Sequence, residues 1–190
     1  MARIYLIRHG RPASTWGDAA DADPGLDEAG RTQAEAASAA LMALPAEDRP
    51  RLVVSSPLRR CRETAAPFAR ALGLEARIEP LVGEIPTPAA LTPAERGPWL
   101  RTAFAGRWAD IEGDLDYEAW RAAATRAVAA LPAAAIFSHF VAINAVVSSV
   151  EGDARVLAFQ PDHASITVLE ADGERLRLIS RGREAETKVL

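Results

Sequence analysis

Short apolar runs recur along the chain and predict the strands of a buried sheet. The three clearest runs occupy residues 4–7, 51–56 and 133–138. Runs of this kind, too short for a helix, are typical of strands covered on both faces. Residues 76–79 are a weaker candidate strand. Residues 164–169 and 176–180 bracket the sequence Ala-Asp-Gly-Glu and predict a hairpin.

Between these runs, apolar residues recur at helical spacing. From Ala34 to Leu44 they step by three or four positions, which predicts an amphipathic helix capped by Asp27 and ended by Pro45. A second helix follows Ser56, which can cap it, and ends at Gly73. Further helices are predicted over residues 114–131 and 140–150. Strand, loop and helix in this order form the first half of a βαβ unit, so the pattern predicts an α/β fold.

Residues 87–112 break this alternation. The stretch contains three prolines and the aromatic residues Trp99, Phe104 and Trp108, and it is predicted to be irregular, an inserted excursion over the sheet that acts as a lid or faces the substrate. Its aromatic side chains can form a wall of the substrate site, or they can pack in the core or in a dimer contact.

Composition and charge narrow the class of protein. A chain of 190 residues with 49% hydrophobic and 25% charged residues is predicted to form one domain over residues 1–190. The net charge of −4 gives no sign of a nucleic-acid or anionic-membrane surface. The single cysteine, Cys61, indicates a reducing compartment. The chain shows no signal peptide and no apolar run of membrane-spanning length, so we expect a cytoplasmic protein.

Two of the predicted strands run directly into histidine. The first apolar run leads into Arg8, His9 and Gly10, and the run at 133–138 ends in Ser138 followed by His139. Ligands of α/β sheets bind beyond the carboxyl ends of strands, so the two imidazoles share one edge if the strands are neighbours. Gly10 is expected to allow a tight turn. A histidine beside an arginine suggests binding of, or attack on, a phosphoryl group.

The start of the second helix carries Arg59, Arg60 and Arg62. Cations are unfavourable at this end of the helix dipole, and the amides there favour anions, so the cluster suggests function. Arg62 is equally explained as a surface residue. Glu84 lies among apolar residues and is interpreted either as a buried, protonated general acid or as an exposed loop residue.

Several weaker candidates complete the sequence evidence. His163 precedes a strand, and it and Ser14 are candidates for substrate contact. Asp18, Asp21 and Asp23 suggest a metal loop, but they lack the glycine and closing glutamate of a calcium loop, so solvated charge is the preferred interpretation. Trp16 is interpreted as a cover of the core edge or as a lining of the site.

Four segments together resemble the signatures of the histidine phosphatase superfamily, the phosphoglycerate mutase-like proteins. They are Leu6–Gly10, Ser56–Ala65, Glu84–Ile85 and Ser138–His139, and residues 23–34 resemble the start of the first helix in that family. The segments follow the family order over nearly the whole chain. This order is far more specific than any single motif.

The resemblance implies a three-layer α/β/α sandwich with a mostly parallel central sheet. It also implies that His9 is the phosphorylated nucleophile, that Arg8, Arg60 and His139 form the phosphate pocket, and that Glu84 is the proton donor. The expected activity is hydrolysis of a phosphate monoester through a phosphohistidine.

Three departures from the family pattern bear on specificity. Phe140 stands where the family usually has glycine after the second histidine, and we expect it to crowd the pocket. Residues 11–14 lack the Gln-Ser-x-Trp-Asn pattern of the mutases, and residues 86–88 replace a Gly-x-Trp-Glu-Gly run. The last two departures favour a phosphatase over a mutase, which remains the alternative. A non-catalytic phosphate-binding regulator is a more distant alternative.

The residue chemistry supports the same mechanism. A nucleophilic histidine must be neutral, and guanidinium groups nearby disfavour the imidazolium and so lower its pKa. Arginines present paired donors that match phosphate oxygens. With Arg8, Arg60 and His139 as the sources of positive charge, we expect no metal and no cofactor. The expected partner is a small phosphate monoester or a phosphorylated peptide, and a homodimer is the expected assembly if the chain associates.

Overall fold

The computed structural model describes residues 1–14 and 21–185, and it is built on a six-stranded sheet. The strands are β1 (Ala2–Arg8), β2 (Leu52–Ser55), β3 (Arg77–Ile78), β4 (Ala134–Ser138), β5 (Ile166–Ala171) and β6 (Leu176–Ser180). Their order in the sheet is β3-β2-β4-β1-β5-β6. The first four in the sheet are parallel, while β5 and β6 are antiparallel to their neighbours. The predicted hairpin is confirmed, and the strand predicted at 76–79 is shorter.

Helices cover both faces of this sheet. They are α1 (Glu28–Met42), α2 (Arg59–Leu72), α3 (Pro93–Ala105), α4 (Tyr117–Ala129) and α5 (Phe140–Glu151). Tyr5 and Ile7 of β1 pack on the side of α1 and α2, whereas Ile4 and Leu6 pack on the side of α4 and α5. The predicted three-layer α/β/α sandwich with a mostly parallel sheet is therefore confirmed. No helix in the described ranges is long and apolar enough to cross a bilayer.

The start of α1 is fixed against the end of β1 by two glycines. Asp27 caps α1 as predicted, since its Oδ1 accepts a hydrogen bond from Gly30 N at 2.7 Å. A Cβ on Gly10 would lie 2.5 Å from Gly30 O, and a Cβ on Gly30 would lie 2.1 Å from Arg11 O. Gly10 is therefore needed for close approach of two backbones, rather than for the turn predicted from the sequence.

The predicted cap of α2 by Ser56 is wrong. The helix begins at Arg59 with Leu58 in the cap position, and Leu58 makes no side-chain cap. The carboxylate of Asp23 instead accepts from Arg59 N, at 2.9 and 3.0 Å to its two oxygens. The amides at this end of α2, which we expected to favour a substrate anion, are thus occupied in part by an anion of the chain itself. Ser56 Oγ instead lies 2.7 Å from Nε2 of His139.

The prediction that residues 87–112 are irregular is also wrong for about half of the stretch. Helix α3 starts with a capping box. The carboxylate of Glu95 accepts hydrogen bonds from Thr92 N at 2.8 Å and from Thr92 Oγ1 at 2.7 Å, and Pro93 occupies the first turn of the helix. Trp108 is 1% exposed and donates from Nε1 to Ser148 Oγ at 3.0 Å. Phe104 packs on Phe140, with ring centroids 5.6 Å apart. These two aromatic side chains therefore pack with the core.

Candidate active site

The two strands that end in histidine are neighbours in the sheet. β1 and β4 pair in parallel with Arg8 opposite Ser138, and His9 N donates to Ser138 O at 2.9 Å. The rings of His9 and His139 follow directly and lie edge to face, with centroids 5.3 Å apart. The sequence prediction that one sheet edge holds both imidazoles is confirmed.

The contacts of His9 determine which ring nitrogen can act as a nucleophile. Its Nδ1 lies 2.8 Å from Gly10 O, and because a carbonyl oxygen only accepts, Nδ1 carries the proton and Nε2 the lone pair. Burial is the main cause that lowers the pKa of His9 well below its usual value, and electrostatic interactions with His139, Arg60 and Arg8 lower it further. The ring is therefore neutral.

Arg60 contacts both His139 and Glu84. Its Nη2 lies 3.2 Å from His139 Nδ1 and 3.4 Å from Glu84 Oε2. Glu84 Oε2 is also 3.5 Å from His139 Nδ1, and the Glu84 side chain is 6% exposed. Of the two interpretations of Glu84, the exposed loop residue is thus excluded. Its role as general acid stays a prediction.

Arg8 is oriented by the segment that precedes β5. Its Nη1 donates to Pro161 O at 2.9 Å and its Nη2 to His163 Nε2 at 3.1 Å. The guanidinium also lies 5.1 Å from the centre of the Phe140 ring. Burial lowers the pKa of Arg8 to about 10, so it remains charged at neutral pH. Arg8 is one of the residues predicted to bind phosphate. The packing of Phe140 against its guanidinium helps to hold Arg8 in position.

Of the two weaker candidates for substrate contact, His163 lies beside His9 and Ser14 does not bond the site residues. The His163 ring lies 5.9 Å from the ring of His9, and burial is the main cause that lowers its pKa to about 4. It is held there by a turn in which Ala164 takes a φ of 53°, a backbone conformation unusual for a residue with a side chain. In the described part of the chain, the Ser14 side chain makes no hydrogen bond to the site residues.

One residue near the site was not identified from the sequence. Arg96 is partly buried on the first turn of α3, one turn before the buried Leu100. Burial lowers the pKa of Arg96, while the charge of Glu84 raises it, and the charge of Arg96 in turn lowers the pKa of His139. The signal that could have located it is the sequence Thr-Pro-Ala-Glu before it, which is typical of a helix start.

The other predicted charges lie outside this cluster. Arg62 is exposed, as its surface interpretation predicted, and Arg59 is exposed and paired with Glu63 at 2.7 Å. Asp23 caps α2, and Asp18 and Trp16 lie outside the described residues. Among the side chains that are described, no three His, Cys, Asp or Glu groups are arranged to hold a metal ion.

The site is therefore a buried cluster of two guanidinium groups, two neutral imidazoles and one carboxylate. The sequence profile of the histidine phosphatase superfamily (branch 1) matches residues 4–183. The chain belongs to the histidine phosphatase superfamily. None of the curated proteins searched matches its sequence.

Solved structures of histidine phosphatase-fold proteins resemble the chain over nearly its whole length. A mycobacterial glucosyl-3-phosphoglycerate phosphatase, solved with inorganic phosphate, is 26% identical, with a TM-score of 0.72 and 99% of this chain and 100% of that chain covered. A phosphoserine phosphatase from Entamoeba histolytica, solved with 3-phosphoglyceric acid, is 18% identical, with a TM-score of 0.73 and coverage of 96% and 98%. The second likeness supports the fold alone.

Proposed function

We propose that this histidine phosphatase superfamily member is a metal-independent phosphohydrolase that cleaves phosphate monoesters through a phosphohistidine on His9. One observation carries the proposal. The proton on His9 Nδ1 is held by Gly10 O, so the lone pair is on Nε2 of a buried, neutral ring. Arg8 and Arg60, each at most 6% exposed, are the cations that would hold a phosphoryl group beside it.

In the first step, His9 Nε2 attacks phosphorus as the bond to the ester oxygen breaks. The leaving alcohol needs a proton, and the carboxyl group of Glu84 is the proposed donor.

In the second step, water replaces the alcohol. The ionised Glu84 takes a proton from the water as its oxygen attacks phosphorus, and the P–N bond to His9 breaks. Inorganic phosphate leaves, and both side chains return to their starting states. Division of one displacement into two is the general advantage of a covalent intermediate.

Positive charge is the main protein contribution to such a reaction, because phosphoryl transfer depends chiefly on positioning and electrostatic stabilisation. Arg8 is held by Pro161 O and His163, and Arg60 lies against Glu84 and His139. Preorganised donors in a water-excluded site contribute far more than the same groups in water. These two arginines are therefore the proposed replacement for a metal ion.

The proposed substrate is a small phosphate monoester. The glucosyl-3-phosphoglycerate phosphatase, which resembles this chain at 26% identity, is named for a small phosphorylated metabolite. The deep burial of His9, Arg60 and Glu84 also suits a small leaving group better than a folded protein. A phosphorylated peptide is the other substrate class to be screened, and the part of residues 87–112 around Arg96 is the proposed substrate-facing surface.

A trapping experiment tests the proposal. Wild-type protein mixed with a ³²P-labelled phosphate monoester and quenched should give an acid-labile, base-stable label on His9, and His9→Ala should give neither label nor turnover. His139→Ala should still give label on His9, at a lower rate. Label on His139, or turnover by His9→Ala, would contradict the proposal. Transfer of the label to an added alcohol in preference to water would indicate the mutase alternative.

A further inference from the structure

The sheet has two outer strands, β3 and β6, and β3 leaves part of its backbone without a partner in the sheet. β3 pairs in parallel with β2, with Ser55 opposite Ile78, and Glu79 N donates to Ser55 O at 2.9 Å. Successive residues of a strand direct their backbone groups to opposite sides. Arg77 and Glu79 therefore bond β2, whereas the N–H and C=O of Ile78 point away from it and present a donor and an acceptor at the edge of the sheet.

The surface around this edge is accessible and partly apolar. No residue from 73 to 81 is buried. Leu74, Ile78 and Leu81 are three of the six exposed large apolar side chains in the described ranges, so exposed apolar groups are concentrated at this strand. An exposed sheet edge with apolar side chains is a template for pairing with another chain. We call residues 74–81 the β3 edge surface.

The charges beside Ile78 are complementary to a second copy of the same strand. Arg77 and Glu79 flank Ile78, and their side chains form an ion pair at 3.2 Å on one face of the strand. If two β3 strands pair antiparallel with Ile78 at the centre, Arg77 of each chain lies directly opposite Glu79 of the other. Opposite charges at directly opposed positions stabilise a strand pair, whereas like charges destabilise it. The charge pattern of this edge therefore matches its own copy.

The outer strand at the opposite edge lacks this property. β6 contains one charged residue, Arg177, so two β6 strands cannot place opposite charges across a shared contact. Arg177 also pairs with Glu170 of the neighbouring β5. At the β3 edge, Pro80 has no N–H and directly follows Glu79, which limits strand pairing to a short segment around Ile78. The pairing of charges is therefore the feature that sets the register there.

We propose that the β3 edge surface docks a second copy of this chain, with the two β3 strands paired antiparallel about a two-fold axis at Ile78. Ile78 N of each chain donates to Ile78 O of the other, and Arg77 of each chain pairs with Glu79 of the other. Such a contact uses the same surface on both chains, so it closes as a dimer and does not extend. Leu74 and Leu81 flank β3 along the chain, and their cover by the partner removes apolar surface from water.

Two measurements on the wild-type protein test this contact. Sedimentation velocity over a range of concentrations should show a monomer–dimer equilibrium. Hydrogen exchange should show that the amide of Ile78 becomes protected as the concentration rises, whereas the amide of Glu79, which is bonded to Ser55 O within the chain, is protected at every concentration. A monomer at all concentrations up to the solubility limit, or a dimer in which the Ile78 amide exchanges freely, would overturn the inference.

Charge reversal separates a contact between chains from the ion pair within one chain. Arg77→Glu places carboxylates opposite each other in the strand pair, and Glu79→Arg places guanidinium groups there, so each variant alone should weaken dimerisation about tenfold or more. An equimolar mixture of the two variants should form a heterodimer, because every facing pair across the contact then has opposite charges. Within each variant chain positions 77 and 79 carry like charges, so mixing cannot restore an effect that is confined to one chain. A mixture that stays monomeric would contradict the proposed register.

A proline at position 78 tests the backbone contact. Ile78→Pro removes the N–H that faces the partner, while no bond to β2 is lost, so the monomer should keep its fold and the dimer should dissociate. Arg177→Glu is the matched control, because it reverses an exposed arginine that pairs with a glutamate near the other edge of the sheet, and it should leave the dimer unchanged. If Arg177→Glu dissociates the dimer and Ile78→Pro does not, the dimer forms at another edge and the proposal is wrong. The mixing experiment decides the inference even if Ile78→Pro does not fold, and neither measurement depends on phosphatase activity.

Discussion

Replacement of Arg60 tests the arrangement of the site most sharply. Its Nη2 lies within 3.4 Å of both Glu84 and His139. A hydrogen bond from a charged donor contributes about 1.5–3 kcal/mol, so Arg60→Ala should weaken phosphate or sulfate binding roughly tenfold to 150-fold. Arg62→Ala is the matched control on the same helix. Because Arg62 is exposed, its removal should change affinity by less than about twofold.

The same substitution should lower the free energy of unfolding. It leaves the carboxylate of Glu84, 6% exposed, without the guanidinium that it pairs with at 3.4 Å, while the charges of Arg8 and Arg96 remain nearby. Removal of one partner of a buried ion pair costs about 3–5 kcal/mol, and because the pair here has a single contact at 3.4 Å, we expect a cost at or just below the lower limit of that range, about 2–3 kcal/mol. For a chain of 190 residues this corresponds to a fall in Tm of roughly 4–12 °C.

A double substitution separates the two effects. In Arg60→Ala/Glu84→Gln the orphaned charge is absent, so Tm should recover by several degrees relative to Arg60→Ala, while sulfate affinity should stay low. Thermal unfolding and competition of sulfate with p-nitrophenyl phosphate measure the two quantities. If the stability losses of the single variants simply add, or if Arg62→Ala weakens binding as much as Arg60→Ala, the contact between Arg60 and Glu84 has been misinterpreted.

Four further predictions follow from the site and its supports. Glu84→Gln should slow hydrolysis of an alkyl phosphate about 10²–10⁴-fold, whereas p-nitrophenyl phosphate, with a leaving group that needs no proton, should give a burst and an accumulating phosphoenzyme in rapid-quench experiments. Activity should survive EDTA, measured as turnover before and after chelation and after added magnesium or zinc. Since the pKa of His9 lies well below its usual value, kcat/KM should fall only when the pH drops through that lowered pKa, after correction for substrate ionisation. Gly10→Ala should lower Tm strongly because its Cβ would lie 2.5 Å from Gly30 O, whereas Gly97→Ala, with its nearest contact at 3.6 Å, should not.

Each of these four predictions would be contradicted by a specific result. Equal rate losses on both substrates with no burst would remove Glu84 from the role of general acid. Loss of activity on chelation, restored by a divalent ion, would contradict metal independence. A fall in kcat/KM near pH 6.5 or above would mean that His9 is protonated in the free enzyme. A Gly10→Ala protein as stable as wild type would show that α1 can shift away from β1 without cost.

Local patterns in the sequence predicted much of the framework. The apolar runs of β1 and β4, the cap at Asp27 and the buried helix α5 were all read from neighbouring residues, because strand burial and helix capping are local requirements. The sheet order was not accessible in this way. That β4 lies between β1 and β2 depends on packing across more than 80 residues, and the pairing of β4 with β1 brings His139 beside His9.

Two errors show how tertiary contacts override local preference. Serine after a strand and before a helix is a good cap, but Ser56 bonds His139 and a distant aspartate caps the helix. The prolines of residues 87–112 suggested irregular chain, although Pro93 suits the first turn of a helix. The helix start was therefore readable, whereas the approach of Arg96 to the site was not, since it depends on how α3 packs on the core.

The pairing of Arg8 with Ser138 also constrains how the sequence can change. The strand advances about 3.3 Å per residue and alternates faces, so a one-residue deletion within β1 or β4 would move one imidazole by that distance and turn it to the other side. Residues 134–137 are buried and apolar on both faces, so a shifted strand could still bury its side chains. The length of these two strands is therefore constrained more strictly than their composition. An apolar substitution keeps the strand buried and the histidines in place, whereas a single insertion or deletion would separate the two histidines.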